Sequence, residues 1–336
     1  MSSEKVTIQE IADMANVSIA TVSRIINHKD NVKPDTRQKV LKAMEQLNFL
    51  PKSLTPLSCA DSKIILICLP DLNNPFNNPI ISGIQKAADA QGYDVLILQA
   101  RNFYTDSNDY TNILKNASIA GILILASVPR PELLSELALR CPVVMCSEYA
   151  EDYGVSYVSI DDVAAARKAV NYLISTGRKK IGFINGNMNF KYSRHREKGY
   201  TEALQAAGLE VNPAWVVHLS AIDYQLALSN ACHMLSLPNR PDAIFACSDL
   251  LAVGAINAAK QLKLDVPHDV SVVGFDNIEL TTMITPTITT IEQPCFQIGY
   301  QSCELLIEKI TNPKAEVKQI ILDTELIVRD STVLCI

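Results

Sequence analysis

The chain has 336 residues, 48% hydrophobic and 20% charged, with a formal net charge of −6. That length exceeds one typical domain and can bury two or three cores. It contains no stretch of about 18 consecutive apolar residues, and the opening MSSEKVTIQE has no apolar signal-like region, so a cytoplasmic chain without membrane contact is expected. The charge is uneven. Residues 1–63 carry nine Lys+Arg against seven Asp+Glu, which is +2, and the remainder therefore holds −8. Phosphates respond to local charge, so the acidic total does not exclude a nucleic-acid partner.

In chain order, VTIQEIADMANVSIATVSRIIN reads as two short helices around a tight turn. Thr7 and Glu10 stand three apart as a capping box, which starts the first helix at Ile8, with Ile8, Ile11, Ala12 and Ala15 on one face. Asn16 sits where the chain must stop and turn. Ser18 is the expected N-cap of the second helix, whose inward stripe is Val22, Ile25 and Ile26. Ile19, Ala20, Ser23 and Arg24 then face outward, where the second helix of a helix-turn-helix meets base edges. Together with Thr7, Ser18, Thr21 and Asn27 they form the candidate DNA-binding set. Pro34 suits the first turn of a third helix, and Val40, Leu41, Met44 and Leu47 close an all-α core.

The segment KSLTPLSCADSK follows. Pro56 opposes a regular helix across it, so a flexible linker over 51–62 is the simpler expectation, tolerant of half-site spacing, although Leu54 or Leu57 could act as a minor-groove wedge.

From Lys63 onward, apolar β-rich runs alternate with helical stretches. The strands read IILICLP, YDVLILQA, GILILAS, PVVMCS, YVSID, KIGFING, DAIFACS and VSVVGFDN. Continuous apolar strands separated by helices predict an α/β core of two doubly wound parallel-sheet lobes. Ligands in such folds sit beyond the carboxyl ends of the strands, so polar and aromatic residues there become candidates.

The segments IATVSR, VKPDTRQKV and FLPK occur at the spacing found in LacI-family headpieces, and PDLNNPF, RHREKGY and GFDN resemble strand ends of that family's periplasmic-binding-protein-like cores. The resemblance covers essentially the whole chain. It is nearest to members that respond to cytidine, through SEY at 147–149, GFDNIELT, PTITTIEQP and LDTELIVRDST. It implies a repressor that binds a double-stranded DNA operator as a homodimer, controlled by a nucleoside such as cytidine, with a pentose or other sugar as the alternative effector. It also leaves room for a second DNA-bound regulator. The implied division is a headpiece at 1–50, a linker at 51–62 and a core at 63–336, whose N-lobe takes about 63–160 and 292–320 and whose C-lobe takes about 161–291 and 321–336.

Within that core, Phe76 either offers a face to a ring or plugs the cleft floor. Arg196 and Asp276 either clamp ligand hydroxyls or form a structural ion pair across the lobes. Ser127, Glu148 and Asp161 divide between ligand contact and strand-end capping. Asp249 is expected as a helix N-cap first and a cleft residue second. Asn77 and Ile222 stand where base-binding relatives tend to place aromatic rings; Phe190 or Tyr192 could supply the stacking.

Other chemistry finds little support. GxGxxG, GxxxxGK[ST] and GxSxG motifs are absent, and the five histidines form no metal-like pair, so no enzyme, metal site or cofactor is expected. The nine cysteines are scattered without a CxxC pair and read as free, mostly buried thiols. A rival from another class is a cytoplasmic sugar-binding module or anti-activator acting through protein contacts, in which the head meets protein instead of DNA.

Overall fold

The computed structural model describes residues 7–26, 32, 34–47, 49, 62–99, 118–125, 134, 137–150 and 153–333. Expectations for Asn27, Leu54, Pro56, Leu57 and Ser127 lie outside the described residues.

The head is three helices, α1 (Ile8–Ala15), α2 (Ile19–Ile26) and α3 (Pro34–Gln46). Local chemistry fixes their ends. The Thr7 N–H donates to Glu10 Oε2 at 2.7 Å and the Glu10 N–H to Thr7 Oγ1 at 3.4 Å, closing the capping box. Asn16 takes the left-handed conformation at φ 53° and returns its N–H to the α1 carbonyls, which redirects the chain. Ser18 Oγ then accepts the Thr21 N–H at 3.2 Å and opens α2. Ile11, Ala12, Ala15, Val22, Ile25, Val40, Leu41, Ala43 and Met44 form the core. Ile8 stands 38% exposed instead of joining that face, because it begins the first turn at the edge of the bundle.

Two sheets of six strands make the body. In the N-lobe, β1 (Ile64–Leu69), β2 (Asp94–Gln99), β3 (Gly121–Ile124), β4 (Val143–Cys146), β5 (Ser156–Ile160) and β11 (Gln319–Leu322) lie in the order β11-β5-β4-β3-β1-β2, all parallel. In the C-lobe, β6 (Ile181–Asn185), β7 (Val216–His218), β8 (Ala243–Ala246), β9 (Ser271–Asp276), β10 (Thr289–Glu292) and β12 (Glu325–Ile327) lie in the order β12-β10-β9-β8-β6-β7, with only β12 antiparallel. Central strands are buried on both faces, as parallel sheets covered by helices must be.

The remaining α-helices among the described residues are α4 (Asn77–Ala90), α5 (Asp162–Ser175), α6 (Lys191–Ala206), α7 (Tyr224–Leu235), α8 (Asp249–Gln261), α9 (Leu280–Met283) and α10 (Cys295–Thr311). Although α10 follows a C-lobe strand, it packs on α4 and on β3, β4 and β5. Two glycines make that contact possible: a Cβ on Gly83 would lie 2.1 Å from the Phe296 carbonyl oxygen, and one on Gly299 2.0 Å from that of Ile80. The chain thus passes between lobes three times, after β5, after β10 and after β11. No helix among the described residues is long and apolar enough to cross a membrane.

Candidate ligand cleft and DNA-binding face

The carboxyl ends of the strands converge on a cleft between the lobes with about 390 Å³ of empty space, lined by Asn74, Phe76, Ser147, Asp162, Tyr192, Arg196, Ile222, Cys247, Ser248 and Asp276. Phe76, Asn74 and Ser147 come from the N-lobe strand ends and the others from the C-lobe. Ser147 and Asp276 hold positive φ values of 70° and 114°, backbone strain of the kind that accumulates where a fold positions functional groups.

Arg196 organises the polar wall. Its Nε donates to Asp162 Oδ1 at 3.0 Å, and its Nη1 lies 3.6 Å from Asp276 Oδ1 and donates to the Cys247 carbonyl. Phe275 lies 3.6 Å beneath the guanidinium and Tyr192 4.9 Å from it. The ion pair is therefore not between lobes: α6 and β9 both belong to the C-lobe, which corrects the expectation of a bridge across the cleft. Asp276 also accepts from Gln293 Nε2 at 2.8 Å. Asp162 holds a second cation, Lys191, through Oδ2 at 3.1 Å, and that ammonium sits 3.8 Å from the Tyr149 ring centroid.

Burial sets the protonation of these groups. It raises Asp276 to about 7 against the pull of Arg196 and the Gln293 hydrogen bond. At Asp162 burial acts in the same direction, but Arg196 and Lys191 outweigh it and hold the carboxyl below its ordinary range. Asp249 is pushed well up by burial and by the Asp276 charge. Burial lifts the Cys247 thiol to about 12, so it stays protonated and unreactive at neutral pH.

Several expected residues do other work. Ser248, not Asp249, is the N-cap of α8, accepting the Leu251 N–H at 3.4 Å. Asp249 is the first helical residue and points inward, taking the Thr290 hydroxyl at 2.6 Å and the Ile278 N–H at 2.9 Å. Asp161 caps α5 through the Ala164 N–H at 3.0 Å and is exposed, while its neighbour Asp162 turns into the cleft. Asn77 is buried and donates to the Asp71 carbonyl at 2.8 Å. Phe190 precedes α6 and stacks on Tyr192 at 5.3 Å. Glu148 leaves the N-lobe to accept the Lys191 and Tyr192 N–H groups, each at 3.1 Å, and so supplies the cap that Phe190 cannot. Burial raises its pKa although Lys191 is near.

Sequence reasoning missed Asn74, Ser147, Asp162, Cys247 and Ser248 as lining residues. Each is adjacent to, or in the same strand-end segment as, a residue that was singled out. On the head, Ser18, Ile19, Ala20 and Arg24 are exposed along one side of α2, with Thr21 and Ser23 half-buried beside them and Thr7 exposed at the start of α1. Among the described residues, no group of three or more His, Cys, Asp and Glu could hold a metal, and Cys68, Cys141, Cys146, Cys232, Cys247, Cys295 and Cys303 form no disulfide.

Known proteins resemble both parts of the chain. Residues 7–52 match the model for bacterial regulatory proteins of the lacI family, and residues 170–332 match a periplasmic binding protein-like domain. The chain is 35% identical over 328 residues to the HTH-type transcriptional repressor CytR of Escherichia coli (strain K12), covering 97% of this chain and 96% of the relative. It is 29% identical over 326 residues to the ribose operon repressor of Haemophilus influenzae, covering 97% and 98%. Among solved structures it superposes on a transcriptional regulator CelR–cellobiose complex with a TM-score of 0.75 and 28% identity, over 97% of this chain and 99% of that one. With the head, the two lobes and a relative of this identity along nearly its whole length, the chain belongs to the lacI family of bacterial regulatory proteins.

Proposed function

We propose that the protein is a homodimeric, sequence-specific repressor whose operator affinity is controlled by a nucleoside such as cytidine in the interlobe cleft. The observation that carries this reading is the cleft itself: one wall combines the Arg196–Asp276 pair with the Tyr192 ring, and the N-lobe strand end adds Phe76. Rings of that kind suit a planar base, and the charged pair suits the hydroxyls of its sugar. Both walls contribute, so a ligand that fits only one lobe arrangement shifts the equilibrium between arrangements by its differential affinity. On the head, Ile19 and Ala20 offer apolar contact to thymine methyl groups and Arg24 a bidentate donor to guanine. Two copies supply the paired half-sites that a single short helix is too small to read alone.

Selection of bound sequences from a random DNA pool, followed by titration with cytidine, tests the reading. A two-fold symmetric site whose occupancy changes with cytidine is expected. Uniform binding to all sequences would refute the head's role, and sedimentation as a monomer that still reads a two-fold site would refute the dimer. A pentose is the second reading, favoured by Ile222: an aliphatic side chain lines the cleft where a second stacking ring would help a base.

A further inference from the structure

We propose that the cleft selects un-ionised, polyhydroxylated ligands and rejects their phosphate esters, because every helix that opens onto it carries a protein acceptor or carboxylate at its N-terminus and its guanidinium is shared between two carboxylates. The inference rests on the cleft being the effector site and holds for a nucleoside or a pentose alike.

Phosphate sites in α/β folds are built where free backbone N–H groups and the positive end of a helix dipole meet the ligand. Five helices begin beside lining residues, and at each a protein acceptor or carboxylate already occupies the N-terminus; at α7, which starts two residues after Ile222, Asp223 accepts the Leu226 N–H at 2.8 Å. At α4, the Asn77 and Asn78 N–H groups are taken by the Asn74 and Pro75 carbonyls at 3.0 and 3.2 Å, and the third residue, Pro79, has no N–H. At α5, the Asp161 carboxylate accepts the Ala164 N–H and Asp162 occupies the first turn. At α6, Glu148 takes both leading N–H groups at 3.1 Å. At α8, Ser248 accepts the Leu251 N–H and the Asp249 carboxylate stands at the first position.

The side chains point the same way. Among the described lining residues, Asp162 and Asp276 face a single cation, Arg196. Lys191 is buried, is held by Asp162 and does not line the cleft. Behind the wall stand two more buried acids, Glu148 and Asp249, both pushed up by burial, so the surroundings already resist carrying negative charge. Burial already keeps Asp276 partly protonated near neutrality, so the wall resists even its own negative charge. A phosphate dianion brought there meets like charge in a poorly solvated site, whereas hydroxyl groups donate to the same carboxylates.

One consequence concerns supply. The signal is the dephosphorylated compound, so uptake of the free form or hydrolysis of a phosphoester produces it, and a kinase acting on a ligand hydroxyl removes it.

Calorimetric titration of the full chain with cytidine, cytidine 5′-monophosphate, ribose and ribose 5-phosphate tests this. Each uncharged compound that binds should do so at least about a hundredfold more tightly than its phosphate ester. In Asp276→Asn the parent should weaken and the gap should narrow by about tenfold. A phosphate ester that binds the native chain within about tenfold of its parent overturns the inference while leaving a small-molecule sensor in place. A gap unchanged in Asp276→Asn assigns the selectivity to shape and overturns the charge argument. If none of the four compounds binds at millimolar concentration, the nucleoside and pentose readings themselves fall, and this inference with them.

Discussion

The head and the C-lobe of the core solve opposite problems. In the head, nine small and medium apolar side chains make the core and the contact surface lies outside, on Ser18, Ile19, Ala20 and Arg24. In the C-lobe, Asp162, Lys191, Arg196, Asp249 and Asp276 are all buried, and the chemistry is inside. A surface that must read a long polyanion needs exposure and tolerates water. A pocket that must distinguish similar small molecules gains from desolvation, since buried polar groups left unmatched by the wrong ligand are costly. The two functions should therefore be separable by mutation.

Arg196→Ala should be the severest test of that separation. It leaves Asp162 with one of its two cations and Asp276 with none within ion-pair reach, and breaking a buried pair in this way costs about 3–5 kcal/mol. The expected result is loss of effector response and a lower melting temperature for the core, with operator binding retained wherever the chain is folded. Effector-driven release that survives the change would remove Arg196 from the site.

Ile11→Ala addresses the other region. Ile11 is fully buried in the smallest core of the molecule, and its truncation should cost about 2–5 kcal/mol of head stability. Operator binding should collapse while calorimetry still detects the ligand. A parallel loss of ligand affinity would mean that head and core do not act as separate units.

Arg24→Ala should cost about 1–3 kcal/mol of binding and relax preference at one base pair in each half-site. Competition between operator variants measures this, and uniform weakening across sequences would make Arg24 a phosphate contact instead. Thr7→Ala removes one side of the capping box and should cost about 1 kcal/mol of head stability by denaturant titration.

The mildest contrast is in pH. Asp276 has a folded pKa of about 7 against an ordinary 3.8, so between those values the folded chain holds the proton more tightly than the unfolded one. Its contribution to stability is present below 3.8 and lost as pH rises toward 7, so core stability should fall across that window. Asp162 acts with the opposite sign, but its contribution is lost only as pH falls below 3.8, whereas Glu148 and Asp249, also raised by burial, add to the fall above it. Asp276→Asn should flatten the Asp276 component, and the head, which shares none of these groups, should not follow it.

Much of the architecture could be read from the sequence because parallel strands buried on both faces are unmistakably apolar. All eight strands read that way are present. The strands not foreseen were β7, β10, β11 and β12, each three or four residues long. Three of them are sheet edges, where half-exposure brings charged residues such as Glu325 into the run and erases the signal. In the site, the difficulty was one of phase. Asp161–Asp162 and Ser248–Asp249 are doublets in which one residue caps a helix and the next turns inward, and either order satisfies the local pattern. The meeting of Glu148 with α6 across the lobes depends on tertiary placement and leaves no mark on sequence spacing.

The three passages of the chain between lobes set a limit on how the gene can be cut. A fragment ending after β10 would contain every N-lobe strand but β11 and would lack α10, whose close contact at Gly83 and Gly299 covers that lobe. A fragment starting at α5 would carry α10 and β11 without the sheet they belong to. Neither lobe exists as one contiguous stretch, so exchange of ligand specificity between such regulators by recombination requires at least two coordinated junctions inside the core, whereas the head can be exchanged at one.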